Sequence, residues 1–199
     1  MHHRIDTANV IIAVIFSGLS IALPMVFHLL GLGSVFLPMY IPLAVGSFML
    51  SARNSVMAGF FTPLASSLLT GMPPLFPPIA PIMMIQLSVF CLLISFFSHS
   101  SVLHGGVISR IKILSILLCA IVADRIIMAL LYMVLLPILE IRSSIVTAFD
   151  LLKGMPGIIL MCVIVPVLVP KCVEILQKYS LKLYEHRICE SNENRQPHI

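Results

Sequence analysis

Asp124 and Arg125 are the two residues best placed to bind a charged or polar group, because they interrupt an apolar run over residues 113–138. If that run crosses a membrane, both lie near mid-bilayer, where an unpaired charge costs several kcal/mol. Successive helical residues point about 100° apart, so the two side chains leave the helix in different directions. They either neutralise each other or bridge helices, or they bind a ligand. The planar guanidinium fork would suit a carboxylate.

Further candidates for ligand contact stand at or near the ends of other apolar runs. A small-molecule site is commonly an apolar pocket with a few convergent polar groups. Met83 and Met84 add soft side chains nearby, although a single methionine in a membrane protein is usually only a packing residue. Together with Asp124 and Arg125, the predicted substrate-binding residues are His28, Met39, Tyr40, Met72 and Gln86.

Sequence motifs for covalent chemistry are missing. The chain has no GxxxxGK[ST] loop for ATP, no HExxH, no GxSxG and no paired intramembrane carboxylates. The five cysteines show no CxxC spacing and are expected to pack as small hydrophobic residues. His2 and His3 could hold a transition metal, but an N-terminal histidine pair is more often incidental. We therefore expect neither an enzyme nor a resident metal or cofactor.

The composition places this chemistry in a membrane. Of the 199 residues, 59% are hydrophobic and only 10% are charged, whereas a soluble domain has about 25% charged residues. The mean hydropathy is +1.10. The net charge of +4 comes from scattered loop residues and gives no nucleic-acid signal. At about 20 residues per crossing, the length allows six helices and hardly more.

The apolar runs predict an all-α membrane protein, a bundle of six transmembrane helices. The second and third runs are short for a full crossing at about 1.5 Å per residue, so they either borrow flanking residues or lie partly within the protein. The predicted spans cover residues 8–30, 36–50, 56–69, 79–97, 113–138 and 157–176.

Basic residues alternate between the connections and predict the orientation. Arg4, Arg53 and Arg110 mark one side together with the basic tail, whereas residues 31–35 and 70–78 carry no charge. By the positive-inside rule, both termini are cytoplasmic. Residues 1–178 are then a six-helix substrate-binding domain, and residues 179–199 a short charged cytoplasmic tail.

The uncharged outer connections are also unusually apolar and stiff. Residues 69–81 hold five prolines in thirteen positions. Residues 31–39 contain two glycines, which leave the backbone free, followed by a proline, which restricts it. Apolar loops that face the water outside the membrane usually fold back over the protein or cover a cavity. The alternative is a plain rigid turn.

The first span carries small residues at four-residue spacing. Such faces let helices approach closely in lipid. The stripe serves either internal bundle packing or docking of another membrane protein, and its members are Ala13, Ser17, Gly18 and Ala22.

Three short motifs resemble those of substrate-binding S components of energy-coupling factor (ECF) transporters. These are FLPMYIP at residues 36–42, TPLASSLLTGMPP at residues 62–74, and KGMPG at residues 153–157 leading into the sixth span; Arg125 in the fifth span adds to the likeness. The resemblance covers roughly residues 8–170 and the six-helix plan. It implies a bacterial inner-membrane receptor that holds a vitamin or cofactor precursor near its outer face. It also implies partners: a transmembrane coupling protein and two ABC ATPases.

Other implications of the resemblance are looser. The family's first helix often docks the coupling protein through an AxxxA pattern, which is matched here only by Ala13/Ser17 and Gly18/Ala22. The chain has no tryptophan, so a tryptophan-based ligand cage is excluded. Met and His side chains would suit a metal-containing cofactor or tetrapyrrole, whereas Arg125 would suit a carboxylated vitamin.

The expected function is therefore capture of a small vitamin-like molecule for import by an ECF-type ABC transporter. Two alternatives from other classes remain open. A stand-alone secondary carrier or channel would use Asp124 as its coupling group, and a ligand-free membrane scaffold would use the proline loop only for packing.

Overall fold

The computed structural model describes residues 2–29, 38–74, 79–102, 109–138 and 154–193. These residues are all-helical and contain no strand, which confirms the predicted helical class for the described part of the chain. The predicted outer loop at residues 31–35 and most of the connection between the fifth and sixth spans lie outside the described residues. The helices are α1 His2–Leu29, α2 Tyr40–Ser47, α3 Ala52–Thr70, α4 Ile79–Val102, α5 Arg110–Ile138 and α6 Met155–Glu193.

Four of these helices are long and apolar enough to cross a membrane. Their apolar segments have mean hydropathies between 2.3 and 2.5 and coincide with the predicted first, fourth, fifth and sixth spans. The protein is therefore suited by length and composition to a multi-pass membrane fold. The segments are Asn9–Phe27, Ile79–His99, Arg110–Leu131 and Met155–Leu176.

The two short predicted spans form different structures. Helix α3 has 19 residues, about 28 Å at the usual rise, but its first turn carries Arg53 and Asn54. Helix α2 has 8 residues, about 12 Å, which is far less than the roughly 30 Å of a hydrocarbon core. All its residues are buried, so this segment lies within the protein, one of the two arrangements expected for it.

Side chains from α4 stabilise the carboxyl end of α2, where backbone carbonyls have no partner within the helix. Ser95 Oγ donates a hydrogen bond to the carbonyl oxygen of Leu50 at 2.7 Å. Ser98 Oγ donates to the carbonyl oxygen of Phe48 at 3.2 Å. Both carbonyl oxygens therefore gain a side-chain donor where the backbone leaves α2.

Glycines permit the closest helix contacts. A Cβ atom added at Gly59 of α3 would lie 2.5 Å from the carbonyl oxygen of Leu87 on α4. One added at Gly46 of α2 would lie 3.0 Å from Cβ of Phe16 on α1. The backbones of α3 and α4 are therefore in contact at Gly59, and Gly46 of α2 packs closely against the Phe16 side chain of α1.

Helix α6 continues well past its apolar segment. That segment ends at Leu176, whereas the helix runs to Glu193 over 39 residues. The first part of the predicted tail, up to Glu193, is therefore a helical extension of the last apolar helix.

Candidate functional site

The centre of the bundle holds a contact between the first residue of α2 and the middle of α5. The phenol oxygen of Tyr40 lies 3.5 Å from Oδ1 of Asp124 and donates a long hydrogen bond to it. The Asp124 side chain is 1% exposed. The buried α2 helix thus delivers a polar group to the carboxylate that the sequence singles out at mid-span.

Arg125 supplies the positive charge for this carboxylate. Its Nη2 lies 2.9 Å and its Nε 3.2 Å from Oδ2 of Asp124, and its Nη1 lies 3.7 Å from Sδ of Met128. The Arg125 side chain is 17% exposed, whereas that of Asp124 is 1% exposed. The arginine side chain nevertheless reaches the carboxylate, so the pair is neutralised within one helix, and Nε, Nη1 and Nη2 each already donate a hydrogen bond.

Tyr40 also makes an aromatic contact that sequence reasoning missed. Its ring meets that of Phe90 on α4 edge-on, with centroids 5.3 Å apart and planes at 64°. Phe90 is fully buried and belongs to the same apolar core as Met39 and Ile121. One signal could have found it: Phe90 follows Gln86 by one helical turn, so the two share a face of α4.

Gln86 is another buried polar residue of the described helices. The side chain is 3% exposed, and among the described residues its Nε2 has no hydrogen-bond partner. Buried polar groups in proteins are nearly always paired, so an unpaired buried amide requires an explanation. Gln86, Tyr40, Asp124 and Arg125 are the predicted binding residues that the structure brings to the bundle interior, together with the buried Met39.

The remaining predicted binding residues do not join this cluster within the described structure. Met72 is 47% exposed, and its carbonyl oxygen accepts hydrogen bonds from Ser66 Oγ at 2.7 Å and Thr70 Oγ1 at 3.2 Å. These bonds hold the start of the proline loop against the end of α3. His28 lies on α1, and its side chain is outside the described part of the structure.

The small-residue stripe of α1 is split between two environments. Ala13 and Ser17 are half-buried, whereas Gly18 and Ala22 are exposed. A Cβ added at Gly18 would meet nothing within 4 Å. Only 6% of the apolar segment of α1 is buried, against 44% of that of α4. Gly18 and Ala22 therefore do not serve packing inside the described bundle.

The chemistry available at the centre is recognition by hydrogen bonding. The Asp124 carboxylate accepts from the hydroxyl of Tyr40 and from two nitrogens of Arg125, and Gln86 has a buried donor without a partner among the described residues. Among the described residues no group of three His, Cys, Asp or Glu side chains could hold a metal ion.

Comparison of the chain with protein-family models, curated proteins and solved structures found no match. The resemblance to ECF S components thus remains a prediction from the sequence motifs.

Proposed function

We propose that this protein is a substrate-capture subunit of an ECF-type importer in a bacterial inner membrane, binding a vitamin-like small molecule. The observation that carries the proposal is the contact of Tyr40 with Asp124 inside a bundle of apolar helices. Ionisable residues inside membrane segments are costly and usually mark functional sites.

The surroundings of this contact favour ligand binding over chemistry. Met39, Phe90 and Ile121 supply apolar and aromatic surface, and the polar groups are few. That balance is typical of sites for small molecules. The start of the proline loop is fixed against the end of α3 by Ser66 and Thr70.

Energy for transport would come from partner proteins. The sequence contains no P-loop, so ATP would be hydrolysed by two ABC ATPases joined through a transmembrane coupling protein. The exposed Gly18 and Ala22 on α1 supply a surface on which a helix of the coupling protein could dock closely.

The proposal includes six spans with both termini in the cytoplasm, with the buried α2 in the place of the second span. Cysteines introduced singly at Met72, Arg53 and Arg110, in a variant without native cysteines, would test this orientation. An impermeant thiol reagent added to intact cells should label position 72 and spare positions 53 and 110. The reverse pattern would overturn the orientation.

The function itself is tested by purifying the full chain and identifying any bound small molecule by mass spectrometry. In liposomes the isolated protein should bind that molecule without accumulating it, and co-reconstitution with a coupling protein, ATPases and ATP should produce uptake. Uphill uptake by the isolated chain would instead favour a secondary carrier. Absence of any bound molecule, and of association with ATPases, would favour a scaffold.

A further inference from the structure

The exposed positive charges of the described structure are gathered at a few helix ends. Every exposed lysine and arginine side chain in the described ranges lies at the amino end of α3 or α5 or near the carboxyl end of α6. In those same ranges Glu174 alone is an exposed acidic side chain. We call the cationic set the basic rim, and its members are Arg53, Arg110, Lys112, Lys171 and Lys178.

Contacts and chain length place the amino ends of α3 and α5 at one face of the bundle. Ser95 and Ser98 near the end of α4 donate to carbonyl oxygens that lie between α2 and α3, so α4 ends beside the start of α3. Ser109, just before α5, follows Val102 at the end of α4 by seven positions. Seven residues extend over at most about 25 Å, less than the roughly 30 Å of a hydrocarbon core. The start of α5 therefore lies at the same membrane face as the end of α4.

The end of the apolar segment of α6 lies at this face as well. Between α5 and α6, residues 139–153 are only 15 residues with four charged side chains, which is too short and too polar for a further crossing. If α5 and α6 both cross the membrane, they run in opposite directions. The carboxyl part of α6 then returns to the face where α5 begins.

The basic rim lies at the depth of lipid headgroups. Arg110 begins the apolar segment of α5, and Lys178 follows the apolar segment of α6, which ends at Leu176. Lys112 and Lys171 lie slightly deeper, and their long stems allow the ammonium groups to reach the interface.

The surroundings of the rim are complementary to a phospholipid. The ion pair among the described residues joins Arg125 to Asp124, and no cation of the rim takes part in one there. Neither α3 nor α5 has an acidic residue in its first turn, so their amino ends add partial positive charge. Beside the cations, Ile111 is 79% and Ile175 55% exposed. Phosphate oxygens suit the charges, and acyl chains suit the exposed apolar side chains.

The excess of positive charge stops at the membrane boundary. Beyond Lys178, residues 179–193 of α6 carry two basic residues, Lys182 and Arg187, against three glutamates. A surface for a soluble acidic partner would be expected to continue along this extension. The distribution of charge therefore favours the lipid surface as the partner.

We propose that the basic rim binds the phosphate groups of anionic phospholipids, with Lys171 and Lys178 of α6 as its central pair. Seven residues separate the two lysines, so they leave the helix within about 20° of each other. This inference depends on α5 and α6 crossing a membrane and not on the proposed transport function.

The test is native mass spectrometry of the full chain in detergent micelles, titrated with an equimolar mixture of phosphatidylglycerol and phosphatidylcholine that have identical acyl chains. The first phosphatidylglycerol should bind more tightly than the first phosphatidylcholine. Glycerol 3-phosphate carries a phosphate without acyl chains. At the same concentration it should not displace the bound lipid, because it gains nothing from the exposed apolar side chains.

Paired variants identify the residues responsible. In Lys171→Gln with Lys178→Gln, phosphatidylglycerol affinity should fall about fivefold for each lysine and about 30-fold for both, with phosphatidylcholine affinity unchanged. Lys171→Arg with Lys178→Arg keeps the charges and should keep the preference. The matched control, Arg187→Gln with Arg195→Gln, removes two charges from the tail and should also keep it. Because both lysines are exposed, the glutamine pair should melt at the wild-type temperature.

The inference is overturned by equal affinity for the two lipids, by wild-type preference in the glutamine pair, or by an equal loss in the tail control, which would reduce the effect to net charge. Displacement by glycerol 3-phosphate would assign the rim to a soluble anion instead. If the glutamine pair melts early, Arg110→Gln with Lys112→Gln on α5 repeats the test, and an unchanged preference there would overturn the inference. The proposed function fails by a different result, a chain that carries no small molecule and does not associate with ATPases.

Discussion

The phenol oxygen of Tyr40 and Oδ1 of Asp124 lie 3.5 Å apart although 84 residues separate them in the chain. Their meeting depends on α2, whose first residue is Tyr40 and whose residues are all buried. The helix is held at its other end by Ser95 and Ser98. The geometry of the candidate site thus depends on a helix too short to cross a membrane.

Replacing Tyr40 tests how much the hydroxyl and the ring each contribute. Tyr40→Phe keeps the contact with Phe90 and loses one long hydrogen bond, so unfolding free energy should fall by at most about 1 kcal/mol. Tyr40→Leu also loses the aromatic contact, worth about 0.5–1.5 kcal/mol beyond its buried area, and should be clearly less stable. Thermal unfolding in detergent measures both, and equal losses would contradict this division.

Arg125 should be essential for folding because it neutralises Asp124. Arg125→Met leaves a buried carboxylate without its cation, which costs about 3–5 kcal/mol in comparable buried pairs. The monodisperse fraction in size-exclusion chromatography should fall sharply.

The matched double variant, Arg125→Met with Asp124→Asn, removes both charges and should recover much of the folded yield. Arg125→Lys keeps the charge without the fork and should give an intermediate yield. Wild-type yield of Arg125→Met would show that the ion pair does not contribute to folding.

The serines that cap α2 should contribute unequally. Ser95→Ala leaves the carbonyl of Leu50 without its 2.7 Å partner, an expected loss of about 1–3 kcal/mol. Ser98→Ala removes a 3.2 Å hydrogen bond and should cost less. Ser115→Ala is the control, because this hydroxyl is exposed and bonds within α5. Denaturant unfolding should rank the three losses in that order, and equal effects of Ser95→Ala and Ser115→Ala would contradict it.

The sequence predicted the four long apolar helices well, because the length and hydropathy of an apolar run are enough to recognise such a helix. It also singled out Asp124, since a carboxylate in such a run is conspicuous. The alternation of charge gave an orientation that stays a prediction.

Contacts between distant segments could not be predicted in this way. Nothing local in the sequence indicates that Tyr40 reaches the middle of α5. The spacing of Gln86 and Phe90 indicates a shared face of α4, but not that Phe90 lies against the ring of Tyr40. Helical spacing alone left open whether Asp124 and Arg125 neutralise each other, because it does not fix the reach of the arginine side chain, which closes the ion pair.

Two glycines should respond to alanine in opposite ways. At Gly59 the new Cβ would lie 2.5 Å from the carbonyl oxygen of Leu87 and 2.9 Å from Cα of Ser88. Because backbone atoms cannot move aside cheaply, α3 and α4 must separate, at a cost of about 1–3 kcal/mol. At Gly18 the space is open, and alanine is the better helix former by about 1 kcal/mol. Gly59→Ala should lower the melting temperature of the isolated chain and Gly18→Ala should not; a loss at Gly18 would show that α1 is packed there.

Large side chains introduced on the exposed face of α1 should weaken association with partner proteins and leave ligand binding unchanged. Gly18→Leu and Ala22→Leu place large side chains where the described bundle has no neighbours, so the isolated chain should fold and bind ligand normally. If a coupling-protein helix packs closely on this face, overpacking of about 1–3 kcal/mol should weaken association with the coupling protein and ATPases roughly 5- to 150-fold. Ala129→Leu, at an exposed position of α5, is the matched control and should leave association intact. Co-purification with the tagged coupling protein measures the effect, and normal recovery of the ATPases with both α1 variants would move the docking surface to another helix.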